Sequence, residues 1–166
     1  MNILITGRPG VGKTTVIQKI IQNYQNASGF FTKEIRKNRK RVGFAIETLD
    51  GNKGILAHVA VESPFQVSKY KVNLKDIEEV CAPSLDLKGD LIVIDEIGKM
   101  ELLSEKFKQK VIESLDTGKV IATIMERPHP FADKIKRRKD VKVVTVTEEN
   151  RNELVDILKK ELEDEI

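Results

Sequence analysis

The chain has a single cysteine, Cys81, no tryptophan and only 5% aromatic residues. A lone thiol cannot pair within the chain, so no disulfide framework supports the fold. Proline is scarce, five in 166 residues, and no Gly/Ser- or Pro-rich stretch marks a linker. The longest uninterrupted apolar runs are four residues, as in Leu91-Ile92-Val93-Ile94, against the roughly 20 needed to span a bilayer. The start, Met1-Asn2-Ile3-Leu4-Ile5-Thr6-Gly7, carries neither a basic n-region nor an apolar h-region, so a cytoplasmic protein with no membrane partner is expected. An excess of one charge is also lacking: 29 Lys and Arg against 26 Asp and Glu leave a net +3. With 40% hydrophobic residues the chain can bury a core, and residues 1–166 are expected to form one domain.

What is present is an alternation of short apolar runs with helical patterns. Asn2 to Thr6, Phe30 to Ile35, Leu91 to Asp95, Val120 to Ile124 and Val141 to Val146 read as parallel strands covered on both faces. Ile17, Ile20, Ile21 and Tyr24 recur at helical spacing. Ser104 can cap a second helix that buries Phe107, Val111, Ile112 and Leu115 before Gly118 ends it. Both helices are expected on one side of the sheet. A third helix is expected from an N-cap at Thr147, with Glu148 and Glu149 in its first turn and Leu154, Ile157, Leu158 and Leu162 on its buried face. Between Arg41 and Val59 the alternation of Val42, Phe44 and Ile46, then Asp50-Gly51, then Ile55, Ala57 and Val59 predicts an antiparallel hairpin insertion. Asn73 caps a short helix ending near Cys81, and Pro64, Pro83, Pro128 and Pro130 fall between elements.

Two motifs carry chemistry. Gly7-Arg8-Pro9-Gly10-Val11-Gly12-Lys13-Thr14 fits G-x-x-x-x-G-K-[ST] at every fixed position, after a predicted strand and before a predicted helix. Its glycines allow torsions that turn successive N–H groups inward, forming a nest for phosphate oxygens at a helix N-terminus. Lys13 adds a charge for the β- and γ-phosphates, and the Thr14 hydroxyl suits Mg²⁺. The second motif, Leu91-Ile92-Val93-Ile94-Asp95-Glu96, is an apolar strand with two carboxylates at its C-terminal end, where ligands bind in open α/β sheets. Asp95 is the expected second holder of Mg²⁺, and Glu96 the group that orients and deprotonates an attacking water. An acceptor-phosphorylating enzyme must exclude that water, so Asp followed by Glu favours hydrolysis.

These motifs, with Gly29-Phe30-Phe31-Thr32-Lys33-Glu34-Ile35-Arg36, Arg41-Val42-Gly43-Phe44 and Asp95-Glu96-Ile97-Gly98-Lys99-Met100-Glu101-Leu102, resemble the THEP-type nucleoside-triphosphatases, also known as cancer-related nucleoside triphosphatases. The resemblance covers most of the chain, from the first strand to Arg127-Pro128. It implies a RecA-like P-loop fold of the α/β class, with a mostly parallel sheet flanked by helices. It also implies Mg²⁺-dependent hydrolysis of nucleoside triphosphates, ATP and GTP among them, to diphosphate and phosphate with broad base tolerance. Nucleotide contacts carried over are Gly7 through Thr14 and Leu91 through Gly98.

Weaker signals surround this site. Arg127 and Lys99 are candidates for stabilising charge on the γ-phosphate, by location alone. Arg8 lies at an unconstrained position of the loop, where a backbone role is expected. Six of the nine residues from Lys33 to Arg41 are basic, as are five of six from Lys134 to Lys139. Nucleic acid is a disfavoured partner all the same: no aromatic residues interleave these runs, and Glu161, Glu163, Asp164 and Glu165 offset their charge. His58 and His129 have no partner at metal-ligand spacing. A small-molecule or nucleotide kinase, and a nucleotide-dependent RNA-binding switch, are the alternatives to hydrolysis. Nothing in the sequence demands an oligomer.

Overall fold

Apolar runs too short for helices and bounded by turn residues become the centre of a nine-stranded sheet in the computed structural model, which describes residues 1–164. Glu165 and Ile166, part of the expected domain, lie outside the described residues. The chain runs β1 (Asn2–Thr6), α1 (Lys13–Ile21), β2 (Ala27–Lys37), β3 (Lys40–Thr48), β4 (Lys53–His58), β5 (Gln66–Val67) and β6 (Tyr70–Val72). Helix α2 (Leu74–Asp76) continues through a π-helical turn, Ile77–Cys81, into α3 (Ala82–Ser84). There follow β7 (Leu91–Ile97), a 3₁₀ turn (Glu101–Leu103), α4 (Glu105–Asp116), β8 (Val120–Ile124), α5 (Pro130–Lys136), β9 (Val141–Thr145) and α6 (Arg151–Glu163).

The strand order is β5-β6-β4-β3-β2-β7-β8-β1-β9. Five strands, β2, β7, β8, β1 and β9, are joined by parallel pairings, whereas β2 through β6 are joined by antiparallel ones. The sheet is therefore mixed rather than mostly parallel. Strand β2 is the reason. Ala27 to Phe30 pair parallel to β7, and from Phe30 onward the same strand pairs antiparallel to β3, so the expected parallel strand at Phe30–Ile35 is mainly antiparallel. β3 and β4 pair antiparallel around a turn at Asp50-Gly51. β9 is the sheet's edge and is half exposed, not covered on both faces.

The two helices expected on one side lie on opposite sides. Val16, Ile17 and Ile20 of α1 pack with Leu154, Val155, Leu158 and Leu162 of α6, while Phe107, Val111 and Leu115 of α4 share the other core with Ala132 and Ile135 of α5. Right-handed crossovers explain it. The connection from β1 through α1 to β2 runs toward one edge of the sheet, and that from β7 through α4 to β8 runs back, so the helices fall on opposite faces. Phe30 and Phe107 meet edge to face in the α4 core, 6.0 Å between ring centroids.

Local chemistry decides where the helices begin and end. Ser104 caps α4 as expected, its hydroxyl accepting the Phe107 N–H at 3.0 Å. Asn150 precedes the first residue of α6 but makes no side-chain cap bond; the cap comes from Thr147, as expected, whose hydroxyl accepts the Asn150 N–H at 3.2 Å and whose carbonyl accepts the Arg151 N–H at 3.1 Å, while Asn150 Oδ1 accepts the Thr147 N–H at 2.7 Å. Glu148 and Glu149 lie in that capped turn, just before Arg151, and the helix face buries Val155 while Ile157 stays 46% exposed. Asn73 caps α2, but the helical stretch runs on to Ser84 with Pro83 inside α3, and Pro130 opens α5, where its missing N–H costs nothing. Asn2, fully buried, donates to Leu115 and Asp140 carbonyls and accepts the Val120 N–H, tying β1 to its neighbours.

Phe107→Ala is expected to lower unfolding free energy by about 3–5 kcal/mol, and Ile157→Ala by less than about 0.5 kcal/mol, as measured by urea denaturation. Equal losses at the two positions would contradict this assignment of the core.

Candidate active site

The loop between β1 and α1 sits at the C-terminal end of the parallel strands. Gly10 and Gly12 have φ of 78° and 110°, torsions that other residues rarely adopt and that a phosphate nest requires of its loop. The amide of Val16 then closes the first turn of α1 on the Gly12 carbonyl at 3.0 Å. Arg8, Pro9 and Gly10 are exposed, while Gly7 and Val11 are buried. The Lys13 ammonium donates to the Gly7 carbonyl at 2.5 Å, which folds this cation over its own loop.

The second motif arrives on β7, with β8 between it and β1. Asp95 is only 5% exposed, and both its oxygens are held: Oδ2 accepts the Thr14 hydroxyl at 2.8 Å and Oδ1 accepts the Thr123 hydroxyl at 2.7 Å. Burial pushes its pKa up, opposed by these two hydroxyls and by Lys13. Glu96 follows across a cis peptide bond. Burial raises its carboxyl pKa and Lys13 opposes the rise, so the Lys13 charge acts on both carboxylates. Leu91 through Ile94 and Ile97 are buried within the sheet and its two cores, which puts them behind the site as its support.

Gly98 wedges beside the carboxylates. A Cβ there would stand 2.5 Å from Glu96 Oε1 and 3.0 Å from Glu101 Oε2. Glu101 is 3% exposed and its Oε2 accepts the Gly98 N–H at 3.0 Å. Burial first, and then repulsion from Glu96, hold its pKa well above the ordinary glutamate range. The motif thus ends in two neighbouring carboxyls, one half-buried and one enclosed.

The donors present fit a divalent cation of the hard, oxygen-preferring kind. A threonine hydroxyl and a carboxylate oxygen 2.8 Å apart match the one or two protein oxygens such an ion takes when phosphates and waters supply the rest. No group of three or more His, Cys, Asp or Glu residues that could hold a metal ion occurs among the described residues.

Residues 2–158 match the sequence model of a family described as NTPase. The chain belongs to this NTPase family. It is 55% identical over 159 residues to the nucleoside-triphosphatase THEP1 of Thermotoga maritima, covering 93% of this chain and 91% of that protein. Its fold matches the crystal structure of THEP1 from Aquifex aeolicus with TM-score 0.87 at 38% identity, covering 98% and 99% of the two chains. The solution structure of a human cancer-related nucleoside triphosphatase matches with TM-score 0.78, also at 38% identity, covering 95% and 94%.

Within this NTPase fold, Lys13, Thr14, Asp95 and Glu96 come together. Lys99 and Arg127 are exposed, and among the described residues neither side chain is held by a hydrogen bond or ion pair. Much of the basic charge elsewhere is engaged. Glu34 pairs with Arg36 and Arg41, Lys33 with Glu47, and Arg138 with Asp116 and Asp140. His129 caps α5, the His58 ring accepts the Ala60 N–H, and Cys81 is buried with its thiol pKa pushed up by desolvation. No helix among the described residues is long and apolar enough to cross a membrane.

Sequence reasoning missed three residues at this site: Thr123, Glu101 and Arg151, whose guanidinium donates to the Val11 carbonyl at 3.3 Å. Each left a signal. Thr123 is the one polar residue in Val120–Ile124, and Glu101 is a carboxylate between Met100 and Leu102. Arg151 opens α6, where the helix dipole disfavours a cation.

The raised Glu101 pKa makes the carboxyl a pH-dependent element of stability. Its contribution is complete below about pH 4.5, the unfolded value, and is lost as pH rises toward the higher native value. Glu101→Gln keeps an acceptor for Gly98 and cannot ionise. In urea denaturation the variant should therefore gain on the native chain by about 1.4 kcal/mol for each pH unit crossed between the two values. A difference independent of pH would contradict an enclosed, protonated Glu101.

Proposed function

We propose that this chain hydrolyses nucleoside triphosphates to diphosphate and phosphate with Mg²⁺, tolerating different bases. The observation that carries the reading is the 2.8 Å hydrogen bond between Thr14 and Asp95, which joins motifs 81 residues apart at the mouth of a phosphate nest. The family membership and the names of the relatives support the same reaction. Loop residues Gly7 to Gly12 bind phosphate oxygens through main-chain N–H groups, and the Lys13 ammonium moves from the Gly7 carbonyl to the β- and γ-phosphates. Thr14 and Asp95 hold Mg²⁺, which when bound offsets phosphate charge. Asp95 stays oriented by Thr123. The Glu96 carboxylate, its basicity raised by burial, accepts the proton of a water directed at the γ-phosphate. Lys99 and Arg127 are free to turn toward the charge developing there.

The same reading takes residues 1–166 as one RecA-like P-loop domain with β3 and β4 as an antiparallel insertion, acting in the cytoplasm on free nucleotides. Base tolerance follows from recognition through phosphates, which every nucleoside triphosphate shares.

Phosphate release with Mg²⁺ and each of ATP, GTP, CTP and UTP tests the proposal. Comparable release from all four is expected. Lys13→Ala should abolish useful nucleotide binding, while Glu96→Gln should keep binding and lose on the order of 10² to 10⁴ in turnover. Normal turnover in Glu96→Gln removes that residue from the mechanism, and phosphate transfer that requires an added acceptor replaces hydrolysis with a kinase reaction.

A further inference from the structure

A base that activates water has to be aimed, yet among the described residues no hydrogen bond or salt bridge holds the Glu96 carboxylate. Shape places it instead. The Glu96 side chain lies against Gly98, where an added Cβ would stand 2.5 Å from Oε1 and 3.0 Å from Cγ. The bare Cα of Gly98 is therefore the seat on which this side chain rests, and the carboxylate follows any movement of that backbone.

The backbone of Gly98 is held at both of its polar groups. Its N–H donates to Glu101 Oε2 at 3.0 Å, and its carbonyl accepts the Leu102 N–H at 3.0 Å. Just before it, the Ile97 carbonyl accepts the Met125 N–H at 3.1 Å, which ties the end of β7 to the residue that follows β8. The turn that supplies these bonds is anchored in its turn. Leu102 is buried in the α4 core, the Ser104 N–H donates to the Glu101 carbonyl at 3.2 Å, and the Ser104 hydroxyl donates to Glu78 Oε2 at 2.8 Å while capping α4.

Glu101 is a costly way to satisfy one amide, because an enclosed carboxyl gives up its hydration and an uncharged acceptor gives up less. Its placement supplies the reason. Glu101 Oε2 lies 3.0 Å from the same point that Glu96 Oε1 approaches to 2.5 Å, so Gly98 is enclosed between two carboxyls, one pinning its amide and the other resting on its Cα. Burial and the neighbouring Glu96 favour the acid form of Glu101, which lets the two groups stand together without a second negative charge.

We infer that Glu101 is a positioning residue for hydrolysis: by tying down the Gly98 amide it fixes the seat of Glu96, and so sets the direction from which the Glu96 carboxylate meets the attacking water. The inference rests on the hydrolytic reading, in which Glu96 takes the proton.

The experiment is a double-mutant cycle on the full chain, with kcat, KM and competition Kd for ATP and Mg²⁺ measured in the native protein, Glu101→Leu, Glu96→Gln and the double variant. Leucine fills a similar space and cannot accept from Gly98. Glu101→Leu is expected to lower kcat on the order of 10- to 10²-fold, as a displacement of about 1 Å does, with Kd close to the native value. In the Glu96→Gln background the same change should cost little more, since a residue that acts through Glu96 then has nothing left to position. Glu101→Gln keeps the acceptor and should recover most of the kcat that leucine loses. If circular dichroism shows Glu101→Leu unfolded, Gly98→Ala replaces it in the cycle: the Gly98 backbone is outside the left-handed region, and the new Cβ displaces Glu96 from its seat. A folded Glu101→Leu or Gly98→Ala with native kcat overturns the positioning role, as do a Kd that weakens in step with kcat, losses that add in the double variant, or a Gln variant no better than Leu. Native turnover in Glu96→Gln overturns the role of Glu96 and this inference with it.

Discussion

The arrangement depends on one contact, the Thr14 hydroxyl donating to Asp95 across the top of β8. It requires that the first turn of α1 and the end of β7 meet at one level although a strand separates β1 from β7. The parallel registers of β1 with β8 and of β8 with β7 set that level. Thr123 stands on the intervening strand and holds the second Asp95 oxygen, so the carboxylate is pinned from both sides. A buried carboxylate without partners would be costly; here each oxygen has a donor, and the enclosed charge is kept at the point where metal and phosphate would meet.

Behind that contact the cores act as a mount. The strands that carry both motifs are apolar on both faces because helices cover each side, α1 with α6 on one and α4 with α5 on the other. The loop glycines can then adopt positive φ in a setting that does not yield, since β1 below them is buried and α1 beyond them is packed against α6. In front, Gly98 lets Glu96 and Glu101 approach each other, and the enclosed Glu101 fixes the backbone just past the acidic pair through the Gly98 amide. The two neighbours differ in mobility: both oxygens of Asp95 are held, whereas Glu96 is only partly buried.

Much of this was legible in the sequence, and the misses have physical causes. Gly7 to Thr14 and Asp95-Glu96 are local patterns whose chemistry needs those residue types in that order, so each could be read without knowing the fold. Their meeting through Thr14 and Asp95 follows the general placement of ligands at strand C-termini. The facing of α1 and α4 could not be read from either stripe, because both stripes are apolar in the same way and crossover direction decides the side. Strand β2 misled for a related reason. Phe30 to Ile35 has the composition of a strand, but pairing direction belongs to its neighbours β7 and β3. The Thr147 cap is legible by residue type, and Asn150 three residues on completes it reciprocally. Thr123 and Glu101 were passed over because a single polar residue in an apolar run reads as noise until a partner from a distant segment is known.

The central claim is that water, activated beside the Thr14–Asp95 contact, attacks the γ-phosphorus. The most direct test is a single turnover of ATP with Mg²⁺ in ¹⁸O-water, followed by mass spectrometry of both products. One ¹⁸O atom in the released phosphate and none in ADP is the predicted result. Label in ADP, or phosphate that carries no label, would contradict it.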